Sequence, residues 1–380
     1  MAVLGDYIRI KHGFAFKGDF ISPEDNGVVL VTPGNFAIGG GFKEEKCKFF
    51  HAEYPDEYVL KPGDLIVTMT DLSKQGDTLG YSAKVPESKR VYLHNQRIGL
   101  VDVFNPNADK DYLYWFMRSK NYQKTVVSTA SGSTVKHTSP SRICEIELNL
   151  PSINVQEKIA AILSSFDSKI ELNQKINKDL ERQAEAIFQS WFTDGKEING
   201  CLADICQYSN EKVAVSLLDL DSYYSTENML PGKAGATQAA KLPTITQTTK
   251  CNAGDVLVSN IRPYFKKIVY CYADCGCSTD VLCFTPKQGT LSAYLFFTLY
   301  ADGFFDFMVA GSKGTKMPRG DKQQIMMYPV YAPSDEELTR FNSIAQPILK
   351  QIQLNREENK RLIALRDMLL PKLMTGEIIL

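Results

Sequence analysis

Residues 151–191 read PSINVQEKIAAILSSFDSKIELNQKINKDLERQAEAIFQSW, and residues 333–373 read PSDEELTRFNSIAQPILKQIQLNREENKRLIALRDMLLPKL. The two stretches align without a gap at a constant offset of 182 residues. Matched pairs include Pro151/Pro333, Ser152/Ser334, Ile162/Ile344, Ile170/Ile352, Leu172/Leu354, Asn173/Asn355, Asn177/Asn359, Lys178/Lys360 and Leu180/Leu362. Each copy closes a segment of about half the chain, so the repeated unit is a whole domain followed by a long helix. Solenoid repeats have units of roughly 20–50 residues. A period this long reads instead as a duplication, with one polypeptide imitating a two-fold dimer.

Both copies carry a heptad. Ile159, Phe166, Asn173, Leu180 and Ile187 recur every seven residues, interleaved with Leu163, Ile170, Asn177, Ala184 and Trp191. The second copy gives Phe341, Ile348, Asn355, Leu362 and Leu369, then Ala345, Ile352, Asn359, Arg366 and Leu373. Apolar residues at alternating spacings of three and four over several heptads predict a coiled coil rather than a helix packed only on its own domain. The asparagines interrupt the seam at the same two positions in each copy. A buried amide is tolerated only with a partner and fixes register, so Asn173, Asn177, Asn355 and Asn359 predict that the two helices pair with each other. About forty residues at 1.5 Å rise give a helix of roughly 60 Å. Pro347 stands where the first copy has Ser165, and predicts a break or kink near Gln346.

With 380 residues, 44% apolar and 23% charged, the chain is long enough for two or three domains with sizeable cores. The expected boundaries are 1–151 and 196–333 for the mixed domains, and 152–195 and 334–380 for the helices. The formal net charge of −1 hides an uneven distribution. Residues 61–150 hold 12 Lys and Arg against 9 Asp and Glu, and residues 241–330 hold 10 against 6. Nine irregularly spaced cysteines do not form a secreted disulfide framework. No basic-then-apolar leader opens the sequence and no window reaches 18 apolar residues, so a reducing cytoplasm without membrane attachment is expected.

Ahead of each helix, short β-type runs such as 65–69, 101–104, 256–259 and 267–270 lie between turn residues. Fainter repeats link these regions. Leu4-Gly5-Asp6 answers Leu202-Ala203-Asp204, and the run from Lys61 to Thr68 answers that from Asn252 to Ser259. Val103-Phe104-Asn105-Pro106 answers Cys283-Phe284-Thr285-Pro286, and Tyr112 to Phe116 answers Tyr294 to Thr298. Gly132 to Lys136 answers Gly311 to Lys316 if one insertion is allowed. Order is kept while offsets drift, as in one fold with diverged loops. Gly63-Asp64 and Gly254-Asp255 read as turns, with glycine for positive φ and aspartate bonding the backbone.

Candidate binding residues follow from chemistry. The loops 132–137 and 311–319 set small and hydroxyl residues beside Lys136 and His137, or beside Lys313, Lys316 and Arg319, and could present amides and cations to phosphate. Paired hydrogen bonds to base edges need Arg, Lys, Asn or Gln. Lys74-Gln75, Asn95 with Arg97, and Arg262 with Lys266 and Lys267 are the clusters of that kind, and Tyr264 could stack. Each of these is also readable as a solvated surface residue. Cys271, Cys275, Cys277 and Cys283 fit small buried residues on strands better than a zinc site, so no metal is expected. Phosphate-loop, dinucleotide and nucleophile-elbow motifs are absent. Asp56, Glu87 and Lys89 loosely imitate a Mg-dependent nuclease set, but in one half only.

The helical segments also carry a family resemblance. Leu150-Pro151-Ser152, Gln156 to Ala160, Ile170-Glu171-Leu172-Asn173 and Ile187 to Phe192 resemble the central conserved helix of specificity subunits of type I restriction–modification enzymes. Leu369-Leu370-Pro371-Lys372-Leu373-Met374-Thr375-Gly376-Glu377-Ile378 is similar to the distal one. The resemblance covers essentially the whole chain, the globular halves by order and by fragments such as Ser133 to His137. It implies an α+β fold, two pseudo-symmetric mixed α/β target recognition domains separated by two long antiparallel coiled-coil helices. It implies a non-catalytic chain that binds a bipartite double-stranded DNA target and docks two methyltransferase subunits and restriction/motor subunits. S-adenosylmethionine, ATP and Mg would belong to those partners, with no cofactor in this chain. Residues 333–337 lack the Gln156-Glu157 pair of the first copy, which leaves partner contacts free to differ at the two ends. The rival readings are a non-DNA coiled-coil scaffold and a stand-alone nuclease.

Overall fold

The computed structural model describes residues 2–45, 47–73 and 75–380. Two units emerge, Met1–Glu171 with Asn359–Leu380, and Leu172–Glu358. Each is a mixed α/β body that includes part of both long helices.

The first unit centres on an antiparallel sheet in the order Ile8–His12, Ile98–Val103, Leu65–Thr68, Ser82–Lys84. Its companion sheet runs Ile21–Ser22, Lys48–Phe50, Val28–Val31, Val91–His94, Val59–Leu60, with the Val28–Val31/Val91–His94 pair parallel. The strand Leu65–Thr68 is buried throughout. Side chains alternate across a strand, so both of its faces are covered. Leu65 and Val67 enter a core with Trp115, Leu163 and Leu373, while Ile66 enters another with Val29, Phe36 and Tyr92.

The second unit repeats the plan. Its antiparallel sheet runs Cys206–Tyr208, Val281–Pro286, Val256–Ser259, Ile268–Tyr270. A second sheet runs Lys212–Ala214, Gln247–Cys251, Cys275–Cys277, Tyr223–Tyr224. Val256 and Val258 face a core with Phe188, Tyr294 and Phe341, and Leu257 faces a smaller one. That smaller core is built largely of thiols: Cys271, Cys275, Cys277 and Cys283 are all buried there beside Cys251. Asp64 accepts from Lys61 N and Asp255 from Asn252 N, each at 2.8 Å, and Gly63 and Gly254 have φ of 79° and 93°. Both turns are structural.

The long helices are Ile153–Phe192 and Asp335–Met374. In the second unit Asn355 donates to Asn177 Oδ1 at 2.8 Å, Asn173 to Glu358 at 2.7 Å, and Arg356 to Glu181 at 2.9 Å. In the first unit Arg366 donates to Asp167 at 2.5 Å and Asn359 to the Ile170 carbonyl at 3.4 Å. In the second unit Asn173 meets Glu358 and Asn177 meets Asn355, and in the first Asp167 meets Arg366 and Ile170 meets Asn359. Within each unit partner numbers fall on one helix as they rise on the other, so the pairing is antiparallel.

Three sequence expectations change. The second helix is continuous through Pro347. Proline removes one N–H, but Pro347 and the Ser343 turn it would bond are exposed, so solvent is available to the freed carbonyl, while Ala345, Leu349 and Ile352 hold the packed face. Secondly, the seam leaves the heptad beyond Ala184. Phe188 and Phe192 are buried, whereas Ile187 and Trp191 are only partly so. A straight helix drifts by ~20° per heptad against a strict seven-residue repeat, and the apolar face follows it. Thirdly, Gln156 is fully buried inside the first unit. Its side chain accepts from Asp109 N at 2.9 Å and donates to the Asn107 and Pro151 carbonyls. Leu338 takes that place in the second copy, so the Gln156 half of the difference is one of internal packing, while Glu157 is exposed.

The second helix starts with a capping box that the sequence reading passed over. Ser334 Oγ accepts from Glu337 N at 3.3 Å, and Glu337 accepts from Ser334 N at 2.9 Å. Lys196 Nζ lies 2.8 Å from the same carboxylate. The hydrogen bond from Lys196, then those from Ser334, hold Glu337 down to about 2. A carboxyl whose folded pKa is depressed contributes stability above its unfolded value, and that contribution is lost as pH falls toward the folded value. Urea titrations from pH 5 to pH 2 are therefore expected to show the gap between wild type and Glu337→Gln narrowing steadily. A gap of constant size would contradict the assignment.

Candidate nucleic-acid interface

The sequence-selected residues gather at one edge of each unit, at the end of the central strand. In the first unit Thr68 Oγ1 donates to the Thr70 carbonyl at 2.9 Å. Met69 N donates to the Arg97 carbonyl and Thr138 N to the Met69 carbonyl, both at 3.0 Å. Thr70–Asp71 then pairs with Lys136–His137, and His137 and Ser131 exchange two backbone bonds of 2.9 Å. These bonds bring Arg97, Lys136 and His137 together. Asn95 caps the Arg97 turn through its side chain (2.9 Å), and His137 Nδ1 lies 3.2 Å from Thr70 Oγ1. Gln75 is exposed beside Gly76, whose nearest side chains include Lys136. Lys74 lies outside the described residues.

The second unit makes the same bonds with other residues. Ser259 Oγ donates to the Ile261 carbonyl at 3.2 Å. Asn260 N donates to the Asp280 carbonyl at 2.9 Å and Gly320 N to the Asn260 carbonyl at 3.3 Å. Ile261 pairs with Arg319, and Arg319 and Lys313 exchange two backbone bonds of 2.9 and 3.0 Å. Arg262 N donates to the Pro318 carbonyl at 2.8 Å.

This ladder fixes the correspondence between units. Gly132 matches Gly314, with φ of 94° and 98°, so the loops align without the insertion expected from Gly311. Lys136 matches Pro318 and His137 matches Arg319. Two positions exchange charge sign: Asp71 matches Arg262, and Arg97 matches Asp280.

The electrostatics differ accordingly. Burial alone would raise Asp71, but donors from Thr78 and Ser73 outweigh it and hold its carboxyl below the usual range. It stays anionic, opposite Lys136 in the strand pair. In the second unit Arg319 lies 3.2 Å from Asp280, and Lys313 lies 2.6 Å from Asp321. Asp302 takes Lys233 at 2.8 Å and Lys266 at 2.9 Å. Lys267 donates to the Thr226 carbonyl at 2.6 Å, and its desolvation lowers its pKa. Lys316 and Tyr264 are exposed. Sequence reasoning missed Asp71, Asp280, Asp321 and Asp302. The partner of Asp280 lies 39 residues away and one partner of Asp302, Lys233, lies farther still, and no local pattern announces them.

Asp56, Glu87 and Lys89 occupy exposed segments. Among the described residues no group of three or more His, Cys, Asp and Glu is arranged to hold a metal ion. No single helix there is long and apolar enough to cross a membrane, although the bent pair Gly289–Tyr300 and Asp302–Ala310 reaches that length and apolarity together. The apolar side chains of that pair, such as Phe297 and Phe304, belong to the core of the second unit.

Comparison with known proteins agrees with this architecture. Residues 3–182 match the family model described as the type I restriction modification DNA specificity domain. The chain is 30% identical over 186 residues to the type I restriction enzyme HindI specificity subunit of Haemophilus influenzae, a match covering 42% of this chain and 40% of that protein. It is 24% identical over 329 residues to the MjaIX specificity subunit of Methanocaldococcus jannaschii, covering 70% of this chain and 69% of that one. The crystal structure of the type I restriction–modification system S subunit from M. genitalium has the same fold, with a TM-score of 0.61 at 15% identity over 98% of this chain and 95% of that one. Residues 3–182, a little under half of the chain, are thus similar to the type I restriction modification DNA specificity domain, and the fold over the whole chain is that of the M. genitalium S subunit.

Proposed function

We propose that the chain is the DNA-reading subunit of a type I restriction–modification assembly, with each unit holding one part of a split target. The observation that carries this reading is the repeated backbone ladder. One set of hydrogen bonds presents Asp71, Arg97, Lys136 and His137 in the first unit, and Arg262, Asp280, Pro318 and Arg319 in the second. A constant frame that displays different polar groups suits two related domains reading different base sequences. The paired helices set the gap between half-sites, much as dimer geometry sets spacing elsewhere. They also dock two methyltransferase subunits, which supply S-adenosylmethionine chemistry, while restriction/motor subunits supply ATP hydrolysis and Mg-dependent cleavage. The chain itself binds and positions.

The test is reconstitution. The purified chain alone is expected to leave DNA unmethylated, and the chain combined with methyltransferase subunits to methylate a split sequence. Binding should weaken steeply from 50 to 200 mM salt, by roughly a thousandfold or more if six or more phosphates are contacted. Methylation by the isolated chain, or affinity indifferent to salt, would overturn the reading.

A further inference from the structure

The three described non-glycine residues with positive φ are all cations of the second unit: Lys233 (63°), Arg262 (51°) and Lys266 (49°). Two of them bracket one short turn, Pro263–Phe265. A left-handed backbone is unfavourable for any residue with a Cβ and persists only where its surroundings hold it. Here the holding groups are backbone. Phe265 N donates to the Arg262 carbonyl at 2.9 Å, Gly232 N to the Phe265 carbonyl at 2.8 Å, and Lys233 N to the Lys266 carbonyl at 2.9 Å. Pro263 is buried beneath the turn. The outcome is a rigid tip carrying Tyr264 (50% exposed) and Phe265 (39% exposed), their ring centroids 4.7 Å apart. Strain is thus maintained to keep two adjacent aromatic rings in water, which burial would otherwise favour removing.

We propose that Tyr264 and Phe265 form a wedge that enters the base stack of duplex DNA and opens one step within the half-site held by the second unit. The proposal rests on the DNA-reading function above and names a residue pair for it. Apolar side chains inserted between base steps unstack and kink a duplex, and an aromatic face stacks on any base. Arg262 and Lys266 flank the rings, and Arg262 is bonded through its backbone to the loop that carries exposed Lys316. Lys266 is paired with Asp302 at 2.9 Å, so the cations left beside the apolar tip are Arg262 and exposed Lys316, and these suit a polyanion with a stacked interior. The wedge belongs to the second unit: the matching turn of the first follows Asp71, and the apolar residue exposed there is Leu72 (69%), with no ring.

The experiment irradiates the full chain, alone and with methyltransferase subunits, on random-sequence duplexes carrying 5-iodouracil for thymine, and locates cross-links by mass spectrometry. Cross-links on Tyr264 or Phe265 are expected. The double variant Tyr264→Ala/Phe265→Ala, with an unchanged circular dichroism spectrum, should bind the selected target about tenfold to a hundredfold more weakly. Tyr264→Phe should retain wild-type affinity. Cross-links confined to other residues, or full affinity in the double variant, would overturn the wedge while leaving DNA reading intact. Failure of the wild type to bind any duplex would remove both.

Discussion

Arg118→Ala is expected to destabilise the first unit by about 3 kcal/mol, at the lower end of the cost of breaking a buried ion pair. The side chain is 6% exposed. Its Nη1 donates to Asp167 at 2.7 Å and Tyr114 Oη at 2.6 Å, and its Nε donates to the Gly39 carbonyl at 2.9 Å. The guanidinium also lies 4.3 Å from the Trp115 ring centroid. Alanine removes these contacts together and strands the Gly39 carbonyl. Asp167 keeps Arg366, which limits the loss. Arg118→Lys restores charge without the planar fork and should recover only part of the stability. Urea unfolding checks the pair. A variant within about 0.5 kcal/mol of wild type would show that Arg118 behaves as a surface residue.

Phe341→Ala should cost about 3–5 kcal/mol in the second unit. Phe341 is fully buried, and its ring centroid lies 5.2 Å from Phe192 and 5.9 Å from both Phe188 and Phe297. One substitution therefore opens a cavity among both long helices and the 292–300 helix. Phe341→Leu, which keeps much of the volume, should cost less than half as much. Urea midpoints for the two variants read this out, and a penalty below about 1 kcal/mol for alanine would mean that this core collapses to refill the space.

Much of this organisation was legible in the sequence, because duplication writes each constraint twice. The asparagines at 173, 177, 355 and 359 announced helix pairing: an amide repeated in an apolar seam needs a partner from outside its own helix. The runs at 65–68 and 256–259 marked the central strands, since a strand covered on both faces needs apolar residues in succession. The drift of Phe188 and Phe192 off the heptad was not legible, because the helical period rather than the sequence repeat sets the buried face. Nor was the tolerance of Pro347, which depends on solvent reaching one carbonyl. The candidate DNA edge was half visible. Loop residues such as Lys136, Arg262 and Arg319 stood out by type, but the exchanges of Asp71 for Arg262 and Arg97 for Asp280 emerge only from the bonded ladder. An alignment that pairs like with like sets Gly132 against Gly311, three residues short of the match with Gly314 that the backbone bonds show.

The most direct measurement of the central claim is a genome-wide map of methylated bases in host cells with and without this chain. Two short specific blocks at one fixed separation should be methylated, disappear on deletion, and show an altered gap when four residues are inserted at Lys175 in the first long helix. A contiguous motif, or a pattern that survives deletion, would contradict the proposed reading of a split target.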